Sequence, residues 1–202
     1  MKLIIMTKPT FFVEEDKILT TLFEEGLENL HLYKPNSAPM YSERLLTLLS
    51  DYCRKRITVH EHFYLKEEYR LKGIHIDNAT SELPIGYKGN VSRTCRNLDE
   101  LKVAKKQSDY VLLRNIFDSQ TNLNEKTSFS LESLKDAARH GLIDRHVYAQ
   151  GGINMENLRI IKDLGFGGVV ICGDLWNRFD IHHGMDYKEV ITEFEKLRKA
   201  IG

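Results

Sequence analysis

The sequence predicts an α/β chain folded as one compact (β/α)8 TIM barrel, a single domain over residues 1–202. Three observations predict it. Eight short apolar runs of strand length alternate with helical patterns along most of the chain. The length of 202 residues allows one sizeable core, at the low end for such a barrel. The last two strand runs each exit into glycine, at Gly151-Gly152 and at Gly173, with one helical pattern between them. Adjacent junctions of this kind are how the last two strands of many barrels hold a phosphate. A doubly wound open sheet would place its glycine-rich turn after strand one, where this chain has Lys8-Pro9-Thr10.

In chain order, Leu3–Thr7 is a short apolar strand, and Glu14–Glu25 a helix with Ile18, Leu19, Leu22 and Phe23 on one face. Leu27–Lys34 alternates as strand two. Met40–Arg54 reads as one helix, with Leu45, Leu48, Leu49 and Tyr52 at helical spacing. Ile57–His60 is strand three, Phe63–Leu71 a short helix, and Gly73–Asp77 strand four. Asn78–Lys88, with Pro84 and Gly86, reads as loop, so strand four lacks its helix. Gly89–Ser92 is strand five, Asn97 opens a helix through Lys106, and Asp109–Leu113 is strand six. Arg114–Ser128 is a long polar loop of the size that serves as a lid or substrate loop. Ser130–His140 is a helix, His146–Gln150 strand seven, and Asn154 an N-cap for the helix bearing Leu158, Ile161 and Leu164, which Gly165 and Gly167 end. Val169–Cys172 is strand eight, His182-His183 sit in a solvated turn, and Tyr187–Ala200 is the last helix.

Composition excludes several classes. Lys+Arg and Asp+Glu both number 29, so no basic excess points to nucleic acid or an anionic membrane. No apolar stretch is long enough to span a bilayer, and Leu3–Met6 is too short for a signal segment. The three cysteines are far apart, which fits a reducing compartment and makes the cytoplasm the expected location. A homo-oligomer is compatible with all of this.

Active sites of such barrels lie at the C-terminal ends of the strands. There the sequence places His31, Tyr33 and Lys34 after strand two, His60, Glu61 and His62 after strand three, and His75 and Asp77 at strand four. Ser92 and Arg93 close strand five, and Arg114 and Asn115 strand six, with Ser119 and Thr121 in the long loop. Several histidines with few carboxylates suggest acid–base chemistry or oxyanion binding rather than a magnesium site. His60 and His62, with His31 or His75, have the composition of a zinc site, but no local pair-plus-pair motif backs it, and no metal site is assigned. Gly151, Gly152, Cys172 and Gly173 supply backbone amides for an anion. Cys172, at an apolar strand end, reads as a packed thiol.

The ordered set HLYKPN, GIHIDN, NVSRT, YVLLRNIF with its loop DSQTN, then GGIN and GGVVICGD, resembles the thiamine phosphate synthase superfamily, including its TenI branch, over nearly the whole chain. The resemblance implies a barrel that binds a thiazole phosphate on Gly151, Gly152, Cys172 and Gly173. In the synthases a pyrimidine pyrophosphate joins the thiazole phosphate and pyrophosphate leaves with the help of Mg²⁺; the TenI branch catalyses thiazole tautomerisation.

Departures from the family pattern decide between these. Where synthases carry Gln-x-Arg-Glu-Lys this chain has His31-Leu32-Tyr33-Lys34-Pro35, and where they carry Asn-Asp-Asp it has His60-Glu61-His62. The second metal-binding Asp is absent from Asn78-Ala79-Thr80, and Ser119-Gln120-Thr121-Asn122 keeps the loop hydroxyls without the lysine. Ser92 matches a pyrophosphate-contacting serine. The losses weaken a Mg²⁺-diphosphate site and favour a TenI-like isomerase, yet the TenI histidine aligns with Asn115, an amide that cannot act as a base. The base is then expected among His31, His60 and His62. A divergent synthase using Mg²⁺, with Glu61 and Lys34 in reduced roles, and a non-catalytic phosphate-binding barrel are the alternatives.

Overall fold

Residues 1–183 and 186–202 are described by a computed structural model, His183 by its backbone alone. Eight parallel strands close into a barrel in chain order: β1 (Lys2–Met6), β2 (Leu30–Leu32), β3 (Ile57–Val59), β4 (Gly73–Ile76), β5 (Asn90–Cys95), β6 (Tyr110–Leu113), β7 (Val147–Gln150) and β8 (Gly168–Ile171). Closure is made by β1 on β8, in register from Lys2 with Gly168 to Ile5 with Ile171. Outside lie α1 (Glu15–Glu24), α2 (Pro39–Leu48), α3 (Asp51–Arg54), α4 (Leu65–Glu68), α5 (Leu101–Lys106), α6 (Leu131–Arg139), α7 (Leu158–Asp163), α8 (Gly173–Trp176) and α9 (Lys188–Ile201). The connection from β4 to β5 carries no helix, as the sequence predicts. No helix among the described residues is long and apolar enough to cross a membrane.

Most of the core lies between the strands and this helical layer, where Ile5, Val111, Leu113, Val169 and Ile171 meet Leu19, Leu22, Leu101 and Phe194. The barrel interior is divided. Ile4, Met6, Leu112 and Val170, with the Tyr110 ring, form its apolar part. Buried Asn29, His31, Thr58, His75, Ser92 and Thr94 form its polar part. Alternation along each strand explains the split, because residues two apart share a face. Ser92 and Thr94 both meet the ring of His75, while Arg93 between them is buried on the other face and donates to the carbonyls of Asn78 and Ser81.

Several sequence expectations are corrected. The single helix expected over Met40–Arg54 is two, because Leu49 is extended (φ −92°, ψ 143°) and Ser50 caps α3 by accepting from Cys53 N–H. Leu48 and Tyr52 therefore point outward, and Leu46 and Cys53 turn inward beside Leu45 and Leu49. Strand five extends to Cys95, which draws Ser92 below the strand end. Asn157, not Asn154, precedes α7; Asn154 Oδ1 instead accepts from the N–H groups of Glu156 and Asn157 in the turn before it. His182 is exposed, and the side chain of His183 lies outside the described residues.

Candidate active site

A cavity of about 290 Å³ opens at the C-terminal ends of the strands. It brings together Tyr33, His60, Asn115, Ser119, Thr121 and the two glycine turns, from five different strand exits. Its glycine-turn side is built from backbone. Gly151 and Gly152 have φ of 100° and 63°, values that residues with a Cβ rarely adopt. Among the described hydrogen bonds, none is donated by the N–H of Gly152, Ile153, Gly173 or Asp174. These amides sit at the turns after β7 and β8, and free backbone donors there suit an anion. Cys172 contributes position, not reactivity: burial pushes its thiol up to about 11, and Sγ rests 3.7 Å from Thr7 O. Gln150 also lines the cavity, and its Oε1 is buried with no hydrogen-bond partner.

The glycine pair is needed for packing. A Cβ on Gly151 would lie 2.9 Å from Asn115 Cα, and one on Gly152 would lie 2.2 Å from Asp118 O. The β7 turn therefore presses on the start of the β6 loop. Gly141 has a similar φ of 70° with open space around it. Gly141→Ala is expected to cost the conformational term alone, about 1 kcal/mol, whereas Gly152→Ala adds a backbone collision and should cost about 3 kcal/mol. Urea unfolding of both variants checks this; equal losses would mean the turn has slack.

The other face of the cavity carries the imidazoles. His60 alone of the expected bases lines it. Its Nε2 is hydrogen-bonded to His31 Nδ1 at 2.9 Å, and its ring stacks on His75 at 4.2 Å between centroids. His31 is fully buried beneath it, with Nε2 at 2.6 Å from the Tyr110 hydroxyl. His75 is held at both nitrogens, Nδ1 by Ser92 Oγ and Nε2 by Thr94 Oγ1, each at 2.8 Å. One ring nitrogen from each of His31, His60 and His75 lies within 4.8 Å of the other two, the composition of a three-ligand metal site. Hydroxyls and rings already occupy them, and His60 Nδ1 is the one ring nitrogen of the three with no hydrogen bond among those described.

Burial holds all three imidazoles well below the usual histidine range, and each ring disfavours charge on its neighbours. The sign of the consequence is fixed. Above about pH 6.5 the imidazoles are neutral folded or unfolded, and stability is at its full value. As pH falls below that, the unfolded chain binds protons that the fold refuses, so stability drops until the folded pKa values are reached, by up to about 1.4 kcal/mol per pH unit for each ring. Urea midpoints at pH 7.5 and 5.5 should therefore differ, with the protein weaker at pH 5.5. Equal midpoints would mean that the rings protonate within the fold.

The remaining expected residues are placed as follows. His62 is not in the cavity: the strand ends at Val59, His62 takes a φ of 55°, and its Nε2 meets Ser37 O at 3.0 Å. Its parity with His60 held only for continuous strand. Lys34 is buried, 1% exposed, with Nζ on Glu15 Oε1 at 2.6 Å, so it does not reach the mouth. Ser92 is inside the barrel on His75, and Thr94 takes its place at the mouth. Asn115 has a φ of 62°, which asparagine tolerates, and faces the glycine turn. Ser119 and Thr121 both line the cavity; Thr121, with Gln120, lies against Gly173, and Ser119 Oγ accepts from the N–H of Thr121 and Asn122. Gln150, expected at the end of strand seven, does line the cavity, whereas Tyr110 and Thr94 were not singled out from sequence; their inward parity with Leu112 and Ser92 was the available signal.

A magnesium–diphosphate site wants converging carboxylate oxygens and free cations. The carboxylates here do not fit it. Asp77 is paired with Arg96 at 2.9 Å and Glu125 with Arg114 at 2.8 Å. Glu61 accepts from Lys34 N–H at 3.0 Å, and burial raises its pKa.

The sequence model of the thiamine monophosphate synthase family (TMP-TENI) matches residues 18–175. The chain belongs to this family. A crystal structure of thiamine phosphate pyrophosphorylase from Bacteroides thetaiotaomicron is 49% identical, with a TM-score of 0.90 over 100% of this chain and 98% of that one. Thiamine phosphate pyrophosphorylase from Pyrococcus furiosus shares the fold, at a TM-score of 0.75 and 19% identity over 99% of this chain and 95% of that one. A thiamine-phosphate synthase of Koribacter versatilis (strain Ellin345) is 28% identical over 109 residues, 51% of each protein. The chain thus spans about half the length of the curated relative it matches.

Proposed function

We propose that this family member is a thiamine-pathway enzyme that binds a thiazole phosphate and moves a proton on it, an isomerase of the TenI kind. One observation carries the reading: His60, whose Nδ1 makes none of the described hydrogen bonds, lines the same cavity as the amides of the two glycine turns. The amides of Gly152, Ile153, Gly173 and Asp174 take the phosphate, which orients the ring. His60 removes a proton from one atom of the bound ring and returns it to another, with no net change in the protein. Burial disfavours the imidazolium, so the proton is held only briefly and is readily given back. Asn115 and Gln150 contribute neutral amide contacts to the ligand. The carboxylate arrangement at the mouth supports no step through Mg²⁺.

A second reading, the synthase reaction, is favoured by the name of the 49% identical relative from Bacteroides thetaiotaomicron. Incubation with thiazole carboxylate phosphate, with and without pyrimidine pyrophosphate and Mg²⁺, separates the two. The expected result is the tautomer, formed without pyrophosphate release and unaffected by chelator. Mg²⁺-dependent pyrophosphate release would put the synthase first. Tight binding without any product would leave a phosphate-binding barrel.

A further inference from the structure

We infer that the cavity at the N-terminal ends of the strands, opposite the mouth, is a second anion site, built for a small oxyanion that carries its own hydroxyl: monohydrogen phosphate or a phosphate monoester. The inference does not rest on the role given to His60.

Strand starts build this floor cavity. It has a volume of about 220 Å³ and takes Lys2 and Ile4 from β1, Asn90 and Tyr110 from the first positions of β5 and β6, and Tyr148 from β7, with Lys72 from the residue before β4. The Tyr110 and Tyr148 rings stack at 4.8 Å between centroids and give it an aromatic wall. The Tyr110 hydroxyl is already held by Asn29 and His31. Other polar groups around the cavity have capacity to spare. Asn90 Oδ1 is buried with no hydrogen-bond partner. The Tyr148 hydroxyl makes none of the described hydrogen bonds. Lys72 Nζ has one long contact, 3.4 Å to Glu28 O.

Charge favours an anion. Glu28 is the one carboxylate lining the cavity, and Lys2 takes it as a partner at 2.8 Å. Lys2, with Lys72 and Arg56, holds Glu28 below the usual carboxylate range, so three cations surround one acid. The Lys72 ammonium makes no ion pair among the described residues. Burial lowers its pKa, and Lys2 and Arg56 push the same way against Glu28. An anion beside Lys72 would relieve that repulsion.

The unpaired groups also select the kind of anion. An ammonium and a phenol donate, and ask for oxygens. An amide oxygen only accepts, so Asn90 Oδ1 asks for a proton. Sulfate or an ionised carboxylate would meet Lys72 and leave Asn90 facing another lone pair. Monohydrogen phosphate, or a singly protonated phosphate ester, brings oxygens and a hydroxyl in one small group. The mouth differs in kind, because the amides of its glycine turns only donate.

Amide ¹H–¹⁵N shifts, followed during titrations at pH 7.5, read both ends of the barrel in one experiment. Leu3, Gly73 and Asn90 report the floor; Gly152, Ile153, Gly173 and Asp174 report the mouth. Inorganic phosphate is expected to saturate the floor signals, and sulfate to need roughly tenfold more or higher, because it leaves Asn90 Oδ1 unmet. The mouth should take the two ions within about threefold of each other. Glycerol 3-phosphate forms a third arm: tighter floor binding than phosphate assigns the ester, weaker binding the free ion. Lys72→Met should abolish floor saturation and leave the mouth shifts as in wild type. Floor signals that saturate with neither phosphate nor glycerol 3-phosphate overturn the inference, and this arm needs no variant to fold. Equal floor affinities for phosphate and sulfate overturn it too, as does wild-type floor binding in Lys72→Met. A silent mouth beside a saturating floor would count against the thiazole phosphate reading and leave the floor site standing.

Discussion

His60→Asn is expected to lower isomerisation of thiazole phosphate by roughly 10²–10⁴-fold, the span that a general base supplies, while phosphate affinity stays within a few-fold of wild type. The split follows from geometry. His60 lies across the cavity from the glycine turns and donates nothing to them. Asparagine keeps a group able to hydrogen-bond His31, so the interior network persists and the loss reports the proton step. His62→Ala is the matched control, expected to retain nearly full turnover because His62 points to Ser37 O and away from the mouth. Steady-state rates together with ligand titration decide it: His60→Asn at wild-type rate would remove the imidazole from the mechanism.

Lys34→Met is expected to destabilise the fold by about 3–5 kcal/mol, the cost of leaving one buried charge without its partner. Both side chains of the Lys34–Glu15 pair are nearly sealed from solvent, and Lys34 Nζ also donates to Thr10 O and sits 4.5 Å above the Phe11 ring. Burial lowers the lysine pKa and raises that of Glu15, so each charge depends on the other. Glu15→Leu combined with Lys34→Met should recover most of the loss, because two apolar groups replace two desolvated charges. Denaturant unfolding of the single and double variants measures the coupling. A single variant as stable as wild type, with weakened ligand binding, would return Lys34 to the substrate site.

The barrel itself was legible because its signals are local. Strand runs of three to six residues, glycine after the seventh and eighth, and the helixless stretch after the fourth can each be read within a short window of sequence. The glycine turns were legible for the same reason. Less of the chemistry was, because it depends on partners far apart in sequence. Nothing near Lys34 marks it as buried; its carboxylate is 19 residues away on α1. His60 and His62 share parity on paper, and the chain breaks that parity because the strand ends at Val59 and His62 itself is left-handed. Ser92 was read as a strand end because the strand was taken too short, a common error where polar residues fill a barrel interior. The one long helix misread as continuous failed at Leu49, where a capping serine outweighs the apolar spacing.

The half-polar interior also shapes how this chain can vary by descent. Asn29, His31, Thr58 and Tyr110 are linked by hydrogen bonds, and His75 is linked in the same way to Ser92 and Thr94, so within each set a change at one strips a partner from the next. An apolar residue at position 58 alone would leave Asn29 Oδ1 without its donor; at position 110 it would unseat His31. Apolar replacements on this side are thus tolerated as a set and rejected singly. The opposite wall, with Ile4, Met6, Leu112 and Val170, is free to drift one residue at a time within its volume. Lineages descending from this sequence should therefore show independent substitutions along β1 and β8 and concerted ones across β2 to β5, a pattern that would date any change of chemistry at the mouth to a single coordinated step.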